Sequence, residues 1–168
     1  MGTRASCADQ PHRANHRTGG RCIQIQVIDA ACAAEPTAGD GLAAVTGLDA
    51  LSQAMESLWA VGSTPQSCQF AQSAGPLIAQ SIEKSVLEKD PKARLGMMIG
   101  AHLAGQAINI SKTTAAHAIS YQLTEQFNIA HGHAVALTLG HIGAVNYEIN
   151  EMSCIDPRGP DFVRSQVA

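Results

Sequence analysis

The sequence predicts an all-α fold, and three observations carry that prediction. Helix start signals recur at Thr64-Pro65 and Asp90-Pro91, the apolar residues that follow them keep a helical period, and almost no alternating strand pattern exists after residue 30. A chain of 168 residues is sized for one domain with its own core.

The first 25 residues carry four Arg against one Asp, with few apolar residues and no period, and they read as a disordered or unrelated leader to a helical domain over 26–168. An organelle transit peptide would need an amphipathic period that this leader lacks. QVIDA, from residue 26, reads as a short strand end, and AACAAEPTAGDGLAAV as a small, turn-rich connector. Thr46 with Asp49 three residues on forms a capping-box pattern for a first helix over GLDALSQAMESLWA, with Gly62 just past its end. Pro65 opens a second helix, which the internal Gly75-Pro76 should kink or split. Asp90-Pro91 opens a third, KARLGMMIGAHLAGQAINI, whose Gly96, Gly100 and Gly105 line a face of small residues that lets neighbours approach closely. Thr113 or Thr114 can cap a fourth, AAHAISYQLTEQF, and a fifth runs from about Gly132 to Tyr147. The expectation is about five helices with short connectors.

Bulk properties exclude several functions. Net charge is −3, charged residues make up 15 %, and no basic stripe or interleaved aromatic run is present, which argues against a nucleic-acid partner. Polar residues break every apolar stretch before it reaches bilayer length, and no signal peptide is evident, so a soluble, cytoplasmic protein with no membrane partner is expected. The five cysteines (Cys7, Cys22, Cys32, Cys68 and Cys154) are scattered and never form a CxxC pair, so neither a disulfide framework nor a thiolate zinc knuckle is suggested.

Helical spacing decides which chemistry can converge. Asp49 and Gln53 are four residues apart and share one helical face, as do His117 and Tyr121. His131 opens the fifth helix, with His133 and His141 following. Three helices can therefore aim a carboxylate oxygen, an amide oxygen and two imidazoles at one point, a mixed N/O set suited to zinc or iron(II). Each residue also has a plainer role open to it. Asp49 is explained by a helix cap, Gln53 by helix propensity, His117 by a hydrogen-bonded core, His131 and His133 by the helix start they flank, and His102 by a structural place in the third helix.

TGLDALSQAMESLW, ARLGMMIGAHLAGQAINI and AAHAISYQLTEQFNIAHGHAVALTLGH closely resemble, in order and spacing, the C-terminal helical domain of the iron-containing (group III) alcohol dehydrogenases. The resemblance covers residues 26 to 150 and implies a divalent metal, iron(II) or zinc, bound by Asp49, His117, His131 and the residue at position 53. That residue is usually a second histidine but here is Gln53, a neutral, harder donor that should weaken the site and shift its preference. Tyr121 stands where the family has the second His of an HxxxH pair, near the substrate; with His133 it is expected to shape the pocket or relay a proton.

The same segments look most like the branch that includes phosphonoacetaldehyde reductases, which implies a small aldehyde or alcohol as partner. Lys112, Thr113 and Thr114 precede the His117 helix, where a cation, two hydroxyls and backbone N–H groups can hold an anion such as a phosphonate or carboxylate. A capping threonine beside a solvated lysine is the alternative. The family binds NAD(P) through a Rossmann-like domain, yet the sequence has no GxGxxG or GGGS loop. A fragment is therefore expected, inactive alone, with NAD(P) belonging to the full-length enzyme and with self-association through exposed apolar helix faces. Two other readings stay open: an inactive remnant or helical interaction module, and a dehydroquinate synthase-like enzyme, against which HGHAVAL and GLDALSQA argue.

Overall fold

The computed structural model describes residues 39–168, so the leader and the QVIDA segment lie outside the described residues. Within that range the chain is all-α, with no strand. The helices are α1 (Asp40–Trp59), α2 (Pro65–Glu83), α3 (Pro91–Ser111), α4 (Ala115–Phe127), α5 (His131–Glu148) and a short α6 (Pro160–Ser165). A π-helical turn, Lys84–Glu88, extends α2 and ends at Lys89, whose φ of 55° closes it in the left-handed region. None of the described helices is long and apolar enough to cross a membrane.

Two start signals operate as expected. Thr64 Oγ1 accepts from Ser67 N (3.2 Å) while Ser67 Oγ accepts from Thr64 N (2.8 Å), and Asp90 Oδ1 accepts from Ala93 N (2.7 Å). Other expectations need correction. α1 begins at Asp40, inside the segment read as a connector, because nothing from Gly41 to Val45 interrupts a helix. Thr46 is thus interior and caps nothing; its hydroxyl donates back to the carbonyls of Leu42 (3.0 Å) and Ala43 (3.3 Å). Pro76 does not split α2, whose buried stripe of Ala71, Ala74, Ile78 and Ser81 runs through it. α6 is a helix the periodicity did not announce, being only six residues long.

α1, α2 and α3 pack around Ala50, Ala54, Ala74, Ile78, Met97, Ala101 and Ala104. Small side chains dominate this core, so the helix axes run close together. The glycine face of α3 makes the closest approach: a Cβ on Gly96 would collide with Ser81, and one on Gly100 with Ile78. The opposite face of α3 leaves Leu95, Met98, Ile99 and His102 exposed, so His102 has no place in the core. α5 packs on α1, α4 packs on α5, and this second layer carries His117 and His131.

Residues after α5 fasten back onto the end of α1. Asp156 is buried, and Arg158 grips both its oxygens (Nε to Oδ1 2.8 Å, Nη2 to Oδ2 2.5 Å). The same guanidinium donates to the carbonyls of Ala60 (2.8 Å) and Ser63 (3.2 Å), satisfying main-chain acceptors beyond the helix end, and lies 3.8 Å from the centre of the Phe162 ring. The guanidinium holds the Asp156 carboxyl below the usual carboxylate range, against the opposing effect of burial. Arg158→Ala is expected to lower stability by about 2 kcal/mol in chemical denaturation, since it strands a buried carboxylate and two carbonyls. Arg158→Lys should recover only part of that loss, because an ammonium cannot span the fork.

Candidate metal centre

Because α1 starts early, Asp49 lies in the middle of a helix, where neither a cap nor the helix dipole explains it. The helical repeat puts Asp49, Gln53 and Glu56 on one face, at i, i+4 and i+7. All three are buried, Glu56 completely. α4 brings His117 to this face and the first turn of α5 brings His131. Asp49 Oδ1 lies 3.2 Å from His117 Nε2 and 3.9 Å from His131 Nε2, and one ligand atom from each of the three residues falls within 4.8 Å of the others. The two imidazoles meet edge to face, with centroids 5.5 Å apart.

Each side chain is oriented by a neighbour. Gln53 Nε2 donates to Asp49 Oδ2 (2.9 Å), so Asp49 Oδ1 is the oxygen that faces the histidines. His117 Nδ1 is hydrogen-bonded to Glu56 Oε2. Ser120 Oγ donates to the His117 carbonyl (2.7 Å) and therefore meets His131 Nδ1 (3.2 Å) as an acceptor. A proton on His131 Nδ1 places the lone pair on Nε2, the nitrogen nearer Asp49.

Buried polar atoms are normally paired. Asp49 Oδ1 and His117 Nε2 are both buried and lack a well-formed hydrogen bond, yet they face each other as a charge pair at 3.2 Å. Ligands bound to one zinc-like ion at about 2 Å each lie about 3–4 Å apart, so this spacing and a carboxylate-plus-imidazole donor set fit a divalent cation. Without a metal, burial pulls the His117 pKa down, but the close Asp49 carboxylate and the hydrogen bond and charge of Glu56 outweigh it and raise it to about 9. Burial pushes Glu56 up, and the bonds from His117 and Thr114 overcome that to leave it below its ordinary value.

Of the other sequence candidates, Tyr121 and Thr114 contact the residues of this cluster. Tyr121 is exposed and stacks on His131, with centroids 5.5 Å apart, while His133 and His141 are exposed on α5. Thr114 stands at the N-cap of α4 but makes no side-chain cap bond; its Oγ1 donates to Glu56 Oε1 (2.5 Å) and accepts from Trp59 Nε1 (3.1 Å). Glu56 Oε1 also accepts from Thr114 N (3.0 Å) and Ala116 N (3.1 Å), so a carboxylate from α1 takes the helix-start donors read as an anion site. Lys112 Nζ donates to the Asn109 carbonyl (2.8 Å), and the exposed Lys112 has an unusual φ of 68° and ψ of 169°. Sequence reasoning missed Glu56 and Ser120. Glu56 lies three residues beyond Gln53 and Ser120 three beyond His117, a spacing that marks both as neighbours on the same helical faces.

Fold and cluster together define a helical domain whose chemistry is that of a candidate metal centre. Residues 43–156 match the family described as Fe-containing alcohol dehydrogenase family, C-terminal. The chain belongs to this family. It is 41 % identical over 144 residues to phosphonoacetaldehyde reductase of Streptomyces viridochromogenes, covering 84 % of this chain and 36 % of that protein. Long-chain-alcohol dehydrogenase 1 of Geobacillus thermodenitrificans is 39 % identical over 100 residues, covering 59 % of this chain and 25 % of that protein. Among solved structures, an iron containing alcohol dehydrogenase superposes with a TM-score of 0.66 at 33 % identity, over 79 % of this chain and 35 % of that one. Sulfoacetaldehyde reductase from Bifidobacterium kashiwanohense in complex with NAD+ superposes with a TM-score of 0.66 at 28 % identity, over 79 % and 37 %. The chain therefore spans between a quarter and little more than a third of the length of these relatives.

Proposed function

We propose that this chain is the metal-binding half of an NAD(P)-dependent aldehyde reductase or alcohol dehydrogenase acting on a small, anionic aldehyde. Asp49, His117 and His131 would hold the metal, zinc or iron(II), with Gln53 as a fourth ligand or as the group that orients Asp49. The observation that carries this reading is the pair of unsatisfied buried atoms, Asp49 Oδ1 and His117 Nε2, facing each other beside His131. When bound, the cation supplies a Lewis acid for the substrate oxygen. The residues of the chain do the rest: Tyr121, exposed and stacked on His131, would position substrate, and His133, exposed on α5, would relay a proton.

Two relatives are named for aldehydes bearing a phosphonate or a sulfonate, which supports an anionic substrate. Lys112 and Thr113 are the candidates to meet that group, since both donors of Thr114 go to Glu56. Non-glycine residues held in a sparsely populated backbone region concentrate at functional sites, which also favours Lys112. The nicotinamide is assigned to a part of the enzyme outside the described residues.

Calorimetric titration of the 168-residue chain with zinc, iron(II) and nickel tests the site. Saturable binding that disappears in Asp49→Ala is expected; no heat with any of the three metals would dismiss it. With NADH and phosphonoacetaldehyde this chain alone should give no turnover. Metal uptake should also depend on pH in a defined direction. His117, raised to about 9, must lose a proton to bind, so apparent affinity should rise by about tenfold per pH unit up to about pH 9 and then level off. A flat profile between pH 6 and 8, roughly, would mean that His117 is not a ligand.

A further inference from the structure

Resting on the metal reading above, we propose that Glu56 is a positioning residue: one of its carboxylate oxygens starts α4, and the other selects the tautomer of His117 that presents Nε2 to the metal. The two oxygens have separate partners. Oε1 accepts from Thr114 N, Thr114 Oγ1 and Ala116 N, while Oε2 meets His117 Nδ1. An ionised carboxylate can only accept, so His117 Nδ1 must carry the proton. Once the ring is neutral, its lone pair falls on Nε2, which faces Asp49 Oδ1 at 3.2 Å. Glu56 is fully buried, and no solvent is available to replace this bond. One side chain thus fixes both where α4 begins, two residues before His117, and which nitrogen of His117 can act as a ligand.

The division of labour makes Glu56→Gln informative. A glutamine that keeps its oxygen at the Oε1 position retains all three helix-start bonds but turns an N–H toward His117 Nδ1. Nδ1 must then accept, the proton moves to Nε2, and the metal-facing nitrogen is blocked. Glutamine differs from glutamate here by one acceptor turned donor, with almost no change in volume.

The test is zinc affinity, measured by competition with a chromophoric chelator on the full chain, for the wild type, Glu56→Gln and Thr114→Ala, beside thermal melts of the metal-free proteins. Glu56→Gln should weaken zinc by about 10- to 100-fold, the usual scale for losing the orienting partner of a ligand. Thr114→Ala removes a bond from the other oxygen, so it should lower the melting temperature yet leave zinc affinity near the wild-type value. Wild-type affinity in Glu56→Gln, or equal weakening in Thr114→Ala, would overturn the proposal. ¹⁵N NMR of the zinc-loaded wild type gives an answer even if Glu56→Gln fails to fold: His117 should show zinc at Nε2 and a proton at Nδ1, and zinc at Nδ1 would refute it. A wild type that takes up no zinc would remove the metal reading itself, and this inference with it.

Discussion

Gly132→Ala is expected to abolish metal binding and to lower stability by about 3 kcal/mol or more. Gly132 lies in the first turn of α5, and a Cβ there would run into the carbonyl oxygen of Val45 and approach Asp49 Cβ to 2.9 Å. Val45 contributes main chain of α1, which cannot rotate aside as a flexible side chain could. α5 must therefore withdraw from α1, taking His131, one residue earlier, away from Asp49. The effect should be specific to the position. Gly140, farther along α5, has nothing within 4 Å of a would-be Cβ, so Gly140→Ala should be neutral or slightly stabilising through helix propensity. Urea denaturation and zinc titration of the two variants check both statements; wild-type zinc affinity in Gly132→Ala would show that α5 can shift without disturbing the cluster.

His117→Ala should be the other severe substitution. In the metal-free protein near neutral pH, His117 is protonated between Asp49 and Glu56, and its removal leaves two buried carboxylates facing an empty space. Breaking a buried ion pair from one side costs about 3–5 kcal/mol. The pH dependence separates this from simple loss of volume. The folded pKa is about 9 against an ordinary imidazole value of 6.5, so the stabilisation is complete below about pH 6.5 and is lost as pH rises through about 9. The stability gap between wild type and His117→Ala should narrow as pH rises from about 6.5 to about 9, and level off above that, in denaturation curves taken without metal. A gap that stays constant across that range would show that cavity formation alone accounts for it. Zinc binding by the variant should be undetectable at any pH.

Much of this architecture was legible in the sequence because it rests on local chemistry. Thr64-Pro65 and Asp90-Pro91 supply an acceptor to free N–H groups and set φ at the same time, so α2 and α3 start where they were expected. Asp49 and Gln53 share a face because their separation is helical arithmetic, while His117 and His131 reach it from α4 and α5. The beginning of α1 was less legible: Thr46 followed by Asp49 satisfies a capping pattern, but the segment before it also favours helix, and a carboxylate needed in the interior is indistinguishable from a cap in one dimension. The cap of α4 was hidden for another reason. Its acceptor is Glu56, 58 residues earlier than Thr114, and no local pattern announces a carboxylate delivered across the fold. Arg158 escaped notice likewise, since its carbonyl partners are at the far end of α1.

α1 has a consequence for how this protein can vary. Asp49, Gln53 and Glu56 ride on one rigid rod, so their mutual placement is set by helical pitch rather than by packing. Inserting or deleting one residue between positions 49 and 56 would rotate part of the trio by about 100° and point it away from the histidines. The same change in the 60–64 turn leaves the trio in phase, and only the turn must adapt. Point exchange along the rod, as at Gln53, can alter cation preference while length along it cannot drift, so lineages carrying this helix should differ there in lettering and not in spacing.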